Sequence, residues 1–313
     1  MSKNGAAQSN GATNADKPFV RVFEVGPRDG LQNERVRVPT QAKVEMIERL
    51  VAAGVNDVEV GSFVHPKWVP QMADTAEVIR RLARAPGARY WALIPNTRGL
   101  AMATEVGLTH VAVFMSSSES HNRKNLNRTI AESVEIVSEV VTASVQEGLE
   151  VRGYISTVFG CPYEGDVPFD RVLSIGDKLL EVGCCQISLG DTTGMGTPLQ
   201  VREGCRRAVE AWGVDRVALH LHDTRGLALV NAVQALEVGM RSFDTSVGGM
   251  GGCPYAPGAA GNLGTEDLVY MLHSLGYETG IDLDRIVSIS RDLELEYGAT
   301  LSSKYFRYAG ARM

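Results

Sequence analysis

His220 and His222 flank a single leucine at the end of the apolar run VALHLHD, in a chain with six histidines in all. In a strand, residues i and i+2 point to one face, so both imidazoles can be aimed at one point with no loop to order. Nitrogen lone pairs that converge in this way bind a divalent cation. A lone histidine is more often a packed, hydrogen-bonded core residue, but a His-x-His pair with carboxylates at neighbouring strand ends favours the metal. Asp29 in GPRDGLQNE is the natural third ligand, although Arg-Asp-Gly is also good turn chemistry. Asn262 can add an amide oxygen. Two imidazoles with oxygen ligands and no thiolate favour Mg2+ or Mn2+ with open coordination positions.

Other reactive residues collect around that set. The Arg28 guanidinium stays protonated at any working pH and can grip a carboxylate or an enolate at two points. It can equally form a salt bridge to Glu59, an acid inside the run DVEVGSF that needs such a partner if buried. Gln32, in the same motif as Asp29, is a candidate to orient a ligand or touch substrate. Asp191, ending SLGD, either orients a histidine or caps the following turn. Cys253 lies in the glycine-dense segment VGGMGGCPYAPGAAGN, which reads as a loop covering a site. A free thiol has a pKa of about 8.5 and is mostly protonated at neutral pH, so it can donate a proton. It has little value as an acid in open water, so such a lid is expected to close during chemistry.

The elements that must position these residues alternate along the whole chain. Strand-like runs at 19–26, 57–63, 89–95, 110–116, 150–158, 185–190, 216–222 and 242–248 each precede an amphipathic stretch. Those stretches fall at 41–53, 71–84, 98–106, 129–147, 168–181, 198–212, 226–238 and 264–275. Eight βα pairs without a composition break close most economically into a (β/α)8 TIM barrel, with a doubly wound open sheet as runner-up. In such a barrel the active site lies at the carboxyl ends of the strands, where the polar residues above are concentrated. Strand 1 adjoins strand 8 on closure, which brings Asp29 near the histidines. The expected organisation is a disordered tail at 1–17, a catalytic barrel over 18–280 with a lid after strand 8, and a helical extension over 281–313.

Composition narrows the class. The net charge is −6 with no Lys/Arg-rich run, so no nucleic-acid partner is expected. No apolar stretch approaches the roughly 18 residues that span a bilayer, so no membrane partner is expected either. The tail has neither the apolar segment of a signal peptide nor the Arg-rich pattern of a transit peptide. Five cysteines without zinc-type spacing fit reduced thiols in a cytoplasm.

Together EVGPRDGLQNE, SFVHPKWVPQM, GCPYEG, SLGDTTGMGTP, HLHDTRG and GGMGGCPYAPGAAGNLGTEDLVYML resemble the 3-hydroxy-3-methylglutaryl-CoA lyase family. These are barrel metallolyases grouped by an Asp-Arg-Glu signature, and the match runs from about Phe19 to Leu272. The resemblance implies a divalent cation held by Asp29, His220, His222 and Asn262. It implies a retro-Claisen cleavage of an acyl-CoA substrate to acetyl-CoA and acetoacetate, as in leucine catabolism. In that scheme Asp29 or His220 takes the alcohol proton, Arg28 stabilises the enolate, Cys253 protonates the departing carbon and Glu59 holds the network. Family members commonly form homodimers. Arg123, Lys124, Arg128 and Lys304 are candidates for CoA phosphates, although a solvated basic face accounts for them as well.

The serine-rich MSSSESHNRKNLN departs from the better-known members and leaves open a lyase for a longer or different 3-hydroxyacyl-CoA. A Claisen-condensing synthase shares the Arg-Asp and His-x-His ligands but usually lacks the cysteine lid. A barrel that binds metal without catalysis is a further alternative.

Overall fold

The structure is a computed structural model that describes residues 17–32, 34, 36–253 and 256–310, leaving out the side chains of 253 and 256–259. Eight strands, β1 (Arg21–Glu24), β2 (Asp57–Ser62), β3 (Arg89–Leu93), β4 (His110–Ser116), β5 (Glu150–Ser156), β6 (Cys184–Asp191), β7 (Val217–Leu221) and β8 (Ser242–Thr245), pair in parallel in chain order. β8 pairs with β1, for example Phe23 opposite Asp244, and closes the barrel. The open-sheet alternative is thereby excluded.

The helices that follow are α1 (Thr40–Ala52), α2 (Thr75–Arg81), α3 (Thr97–Glu105), α4 (Glu119–Leu126), α5 (Ile130–Gln146), α6 (Phe169–Glu181), α7 (Pro198–Trp212), α8 (Ala228–Glu237), α9 (Thr265–Ser274), α10 (Leu283–Tyr297) and α11 (Lys304–Gly310). Local chemistry sets their limits. Thr129 with Glu132, and Thr197 with Gln200, form reciprocal capping boxes that start α5 and α7. In α6 the buried Val172, Ile175, Gly176 and Leu179 recur at helical spacing and face the barrel wall.

Strand parity divides the core. In β4, Val111, Val113 and Met115 join the large apolar layer between strands and helices. The alternate residues Ala112 and Phe114 pack with Leu93 and Tyr154 in a separate small cluster, as inward-facing side chains of a closed barrel do. Polar groups share that interior: Glu59, Arg152, Ser188 and Asp244 are all buried.

Several local expectations differ from the structure. A helix absent from the expected set, α4, follows the serine run after β4, where the Ser118 hydroxyl accepts from the amide of His121 and caps the helix. Among the described residues the helical extension beyond 280 is two helices, α10 and α11. The GPRDG segment is a single π-helical turn, Gly26–Gly30. The glycine-dense lid is no irregular loop throughout, since β9 (Gly252–Cys253) pairs antiparallel with β10 (Ala256–Ala260).

The base of that hairpin is held from below. The amides of Ser302 and Ser303 both donate to the Gly248 carbonyl, at 2.9 and 3.0 Å. Gly248 has φ 67°, and a Cβ there would stand 2.6 Å from a Leu301 methyl, so only glycine fits this position.

Candidate active site

Glu24, the last residue of β1, organises the turn that carries Arg28 and Asp29. One carboxylate oxygen accepts from the amides of Gly26 (2.7 Å) and Val247 (2.9 Å), and the other from the Thr265 hydroxyl (2.6 Å). It therefore ties the end of β1 to the segment after β8 and the start of α9. Full burial pushes its pKa up to about 7 against those hydrogen bonds. A Cβ on Gly26 would come within 2.5 Å of this carboxylate, so the close approach requires glycine.

The π-turn aims Asp29 inward among donors. Arg28 donates to one carboxylate oxygen, joined by Gln32 Nε2 at 2.7 Å, and Asn262 Nδ2 donates to the other at 2.9 Å. Burial works against the charge of Asp29, but Arg28 and then the two imidazoles overcome it and bring the pKa down to about 2. Asp29 therefore rests as a carboxylate.

Arg28 holds two acids at once. Its Nε donates to Glu59 Oε2 at 2.7 Å, and Tyr154 Oη approaches the same oxygen at 3.2 Å. Burial raises the pKa of Glu59 even with Arg28 beside it. The salt-bridge and oxyanion readings of Arg28 are compatible here. The guanidinium has five N–H groups, and those contacts leave some of them for a ligand.

His220 and His222 lie at the end of β7 with ring centroids 5.2 Å apart. Potential ligand atoms of Asp29, His220 and His222 all fall within 4.8 Å of one another. Asn262 joins them through a backbone bridge to His222. The buried atoms His222 Nδ1 and Asn262 Oδ1 have no hydrogen-bond partner among the described residues. Burial, reinforced by His220, drops the pKa of His222 to about 4, so it stands as a neutral lone-pair donor at pH 7. Leaving buried polar atoms unpaired costs roughly 1–3 kcal/mol each. A cation among two nitrogens, a carboxylate and an amide oxygen would satisfy them, so the residues fit a divalent metal.

Other candidates are placed differently. Asp191 spends its carboxylate on the backbone amides of Met195 (2.9 Å) and Gly196 (3.1 Å), so it caps its own turn and does not orient a histidine. Asp244 on β8 stands behind the imidazole instead, with Oδ2 3.2 Å from His220 Nδ1. Sequence reasoning passed over Asp244 and its partner Arg152. The available signal was a charge inside an otherwise apolar strand.

Asp223, next to the histidines, caps α8 through the Ala228 amide at 3.0 Å and faces Lys304 Nζ at 3.3 Å. Arg123 pairs with Glu119 at 3.0 Å, and Lys124 Nζ lies 4.5 Å from the Tyr163 ring centroid. These three basic residues thus have local partners. The Cys253 backbone lies in β9, while its side chain falls outside the described residues.

The family model described as HMGL-like matches residues 19–293. A hydroxymethylglutaryl-CoA lyase of Bacillus subtilis is 46% identical over 285 residues, covering 91% of this chain and 95% of that one. The crystal structure of hydroxymethylglutaryl-CoA lyase from Pseudomonas aeruginosa is similar with a TM-score of 0.92 and 43% identity, covering 95% of this chain and 99% of that chain. An HMG-CoA lyase from Acenitobacter baumannii, solved in complex with coenzyme A and 3-methylmalate, has a TM-score of 0.88 and 40% identity over 92% of this chain and 94% of its own. Since the matching model spans most of the barrel, and the relatives match over nearly their whole length, the chain belongs to the HMGL-like family.

Proposed function

We propose that this protein is a hydroxymethylglutaryl-CoA lyase that uses Mg2+ or Mn2+ to cleave 3-hydroxy-3-methylglutaryl-CoA to acetyl-CoA and acetoacetate. The observation that carries this reading is the convergence of Asp29, His220 and His222 within 4.8 Å, beside an arginine already held for anion binding. Asp29, His220, His222 and the Asn262 amide oxygen would hold the cation. A divalent cation in that position supplies a Lewis acid that lowers the pKa of the tertiary alcohol, enough for a weak base to deprotonate it.

The chain's own residues supply the rest. Asp29, a carboxylate with a second oxygen beyond the one that would hold the cation, acts as the base. Asp29 takes the hydroxyl proton as the C–O single bond becomes the ketone of acetoacetate. The C2–C3 bond breaks, and its electron pair moves onto the thioester as an enolate. Arg28 donates hydrogen bonds to the enolate oxygen while Glu59 keeps the guanidinium in place. The Cys253 thiol then gives its proton to C2 to complete acetyl-CoA, and exchange with solvent restores both groups. In this reading residues 18–280 form the catalytic barrel and 281–313 an extension that braces the lid's base. The enzyme works as a homodimer in the cytoplasm.

The ligand assignment is tested by calorimetric titration of Mn2+ into purified protein. His222→Ala is expected to weaken binding by about 100-fold or more, above the range measured for residues that merely support a ligand. Unchanged affinity would return His222 to the role of a packed core residue.

A further inference from the structure

Behind the candidate metal ligands, β5, β6, β7 and β8 contribute one buried polar cluster that the reaction scheme above does not use. Asp244 is its centre. Its Oδ1 accepts from Arg152 NH2 at 2.5 Å, and its Oδ2 accepts from Ser188 Oγ at 2.9 Å and Arg152 NH1 at 3.1 Å. The remaining neighbour of Oδ2 is His220 Nδ1, at 3.2 Å. Arg152 is itself fixed by Gln186 Oε1 at 2.9 Å, by Tyr154 Oη at 2.8 Å and by the Phe23 ring 4.1 Å from its guanidinium carbon.

We propose that Asp244, held by Arg152, is a positioning residue that fixes His220 in the Nδ1–H tautomer and so presents its Nε2 lone pair to the cation. A carboxylate gripped at both oxygens by a guanidinium is ionised and can only accept. His220 Nδ1 must therefore carry the proton of their hydrogen bond, so that in the neutral ring the free lone pair is on Nε2. A metal binds the unprotonated nitrogen, so the cluster selects the ligating tautomer before any ion arrives. The same cluster reaches the other side of the site: Tyr154 Oη, which accepts from Arg152, also meets Glu59, and Glu59 accepts from Arg28. Asp29 and His220 are thus linked by one continuous chain of hydrogen bonds, in which the Tyr154 hydroxyl joins two ion pairs.

This inference rests on the metal reading of Asp29, His220 and His222, and two measurements keep the two claims separable. The first is the long-range 1H–15N spectrum of histidine-labelled, metal-free protein, with His220→Gln used to assign the resonance. The expected result is a neutral His220 ring protonated at Nδ1, and a neutral ring protonated at Nε2 overturns the proposal. The second is Mn2+ titration of Asp244→Asn. There the amide oxygen stays with Arg152 and the NH2 group faces Nδ1, which moves the ring proton to Nε2. Affinity is expected to fall by about 10- to 100-fold in a protein that still melts cooperatively. Wild-type affinity in folded Asp244→Asn overturns the proposal. If that variant does not fold, the wild-type spectrum decides alone. Absence of Mn2+ binding in the wild type would sink the metal reading, and the spectrum would still decide the tautomer.

Discussion

Arg28→Lys is expected to lower kcat by about a hundred- to a thousand-fold, the loss typical of removing one preorganised donor at a developing oxyanion. Lysine keeps a positive charge near Glu59 and Asp29, which Arg28 now joins through its Nε and NH1 groups. It cannot keep the planar fork that meets both acids and still offers N–H groups to an enolate. Cation affinity should stay within a few-fold of wild type, because the ligand atoms are not altered. Arg28→Met serves as the contrast. It strands Glu59, a fully buried acid, without its partner, and should destabilise the fold by roughly 3–5 kcal/mol. Steady-state kinetics and thermal melting of both variants separate the two effects. A lysine variant with wild-type kcat would leave Arg28 with the salt-bridge role alone.

Cys253→Ala is expected to reduce turnover by about 10²- to 10⁴-fold, the range associated with loss of a positioned general acid. Affinity for the cation should hold, since the lid's two ends are anchored independently of the thiol. One end is the Gly248 carbonyl with its two serine amides, and the other is Asn262, bonded to Asp29 and to the Met250 carbonyl at 3.1 Å. Pairing of β9 with β10 gives the lid a backbone frame that loss of one side chain need not disturb. Near wild-type turnover in Cys253→Ala would remove the acid role.

Much of this site is legible in the sequence, for a physical reason. β-branched runs alternating with amphipathic stretches favour a closed parallel barrel over an open sheet, and a closed barrel puts every strand's carboxyl end on one face. Asp29, His220 and His222 could be grouped because each stands at such an end, and Asn262 because it ends the lid that follows β8. Features set by contact across the barrel were not legible. Arg152 and Asp244 are 92 residues apart, and only closure shows that they pair behind His220. Glu24 reads as one acid in a strand, yet its three donors come from Gly26, Val247 and Thr265. The choice between the two roles open to Asp191 was likewise not legible, because its strand-end position suited either and only the fold shows the amides of Met195 and Gly196 on its carboxylate.

The most direct test of a metal-dependent carbon–carbon lyase is product analysis with 3-hydroxy-3-methylglutaryl-CoA as substrate. Purified protein is stripped with a chelator and assayed before and after adding Mg2+ or Mn2+. Acetyl-CoA and acetoacetate are expected in equal amounts, with turnover absent from the stripped protein and restored by the cation. Full turnover in metal-free protein, or no acetyl-CoA with the cation bound, would contradict the account.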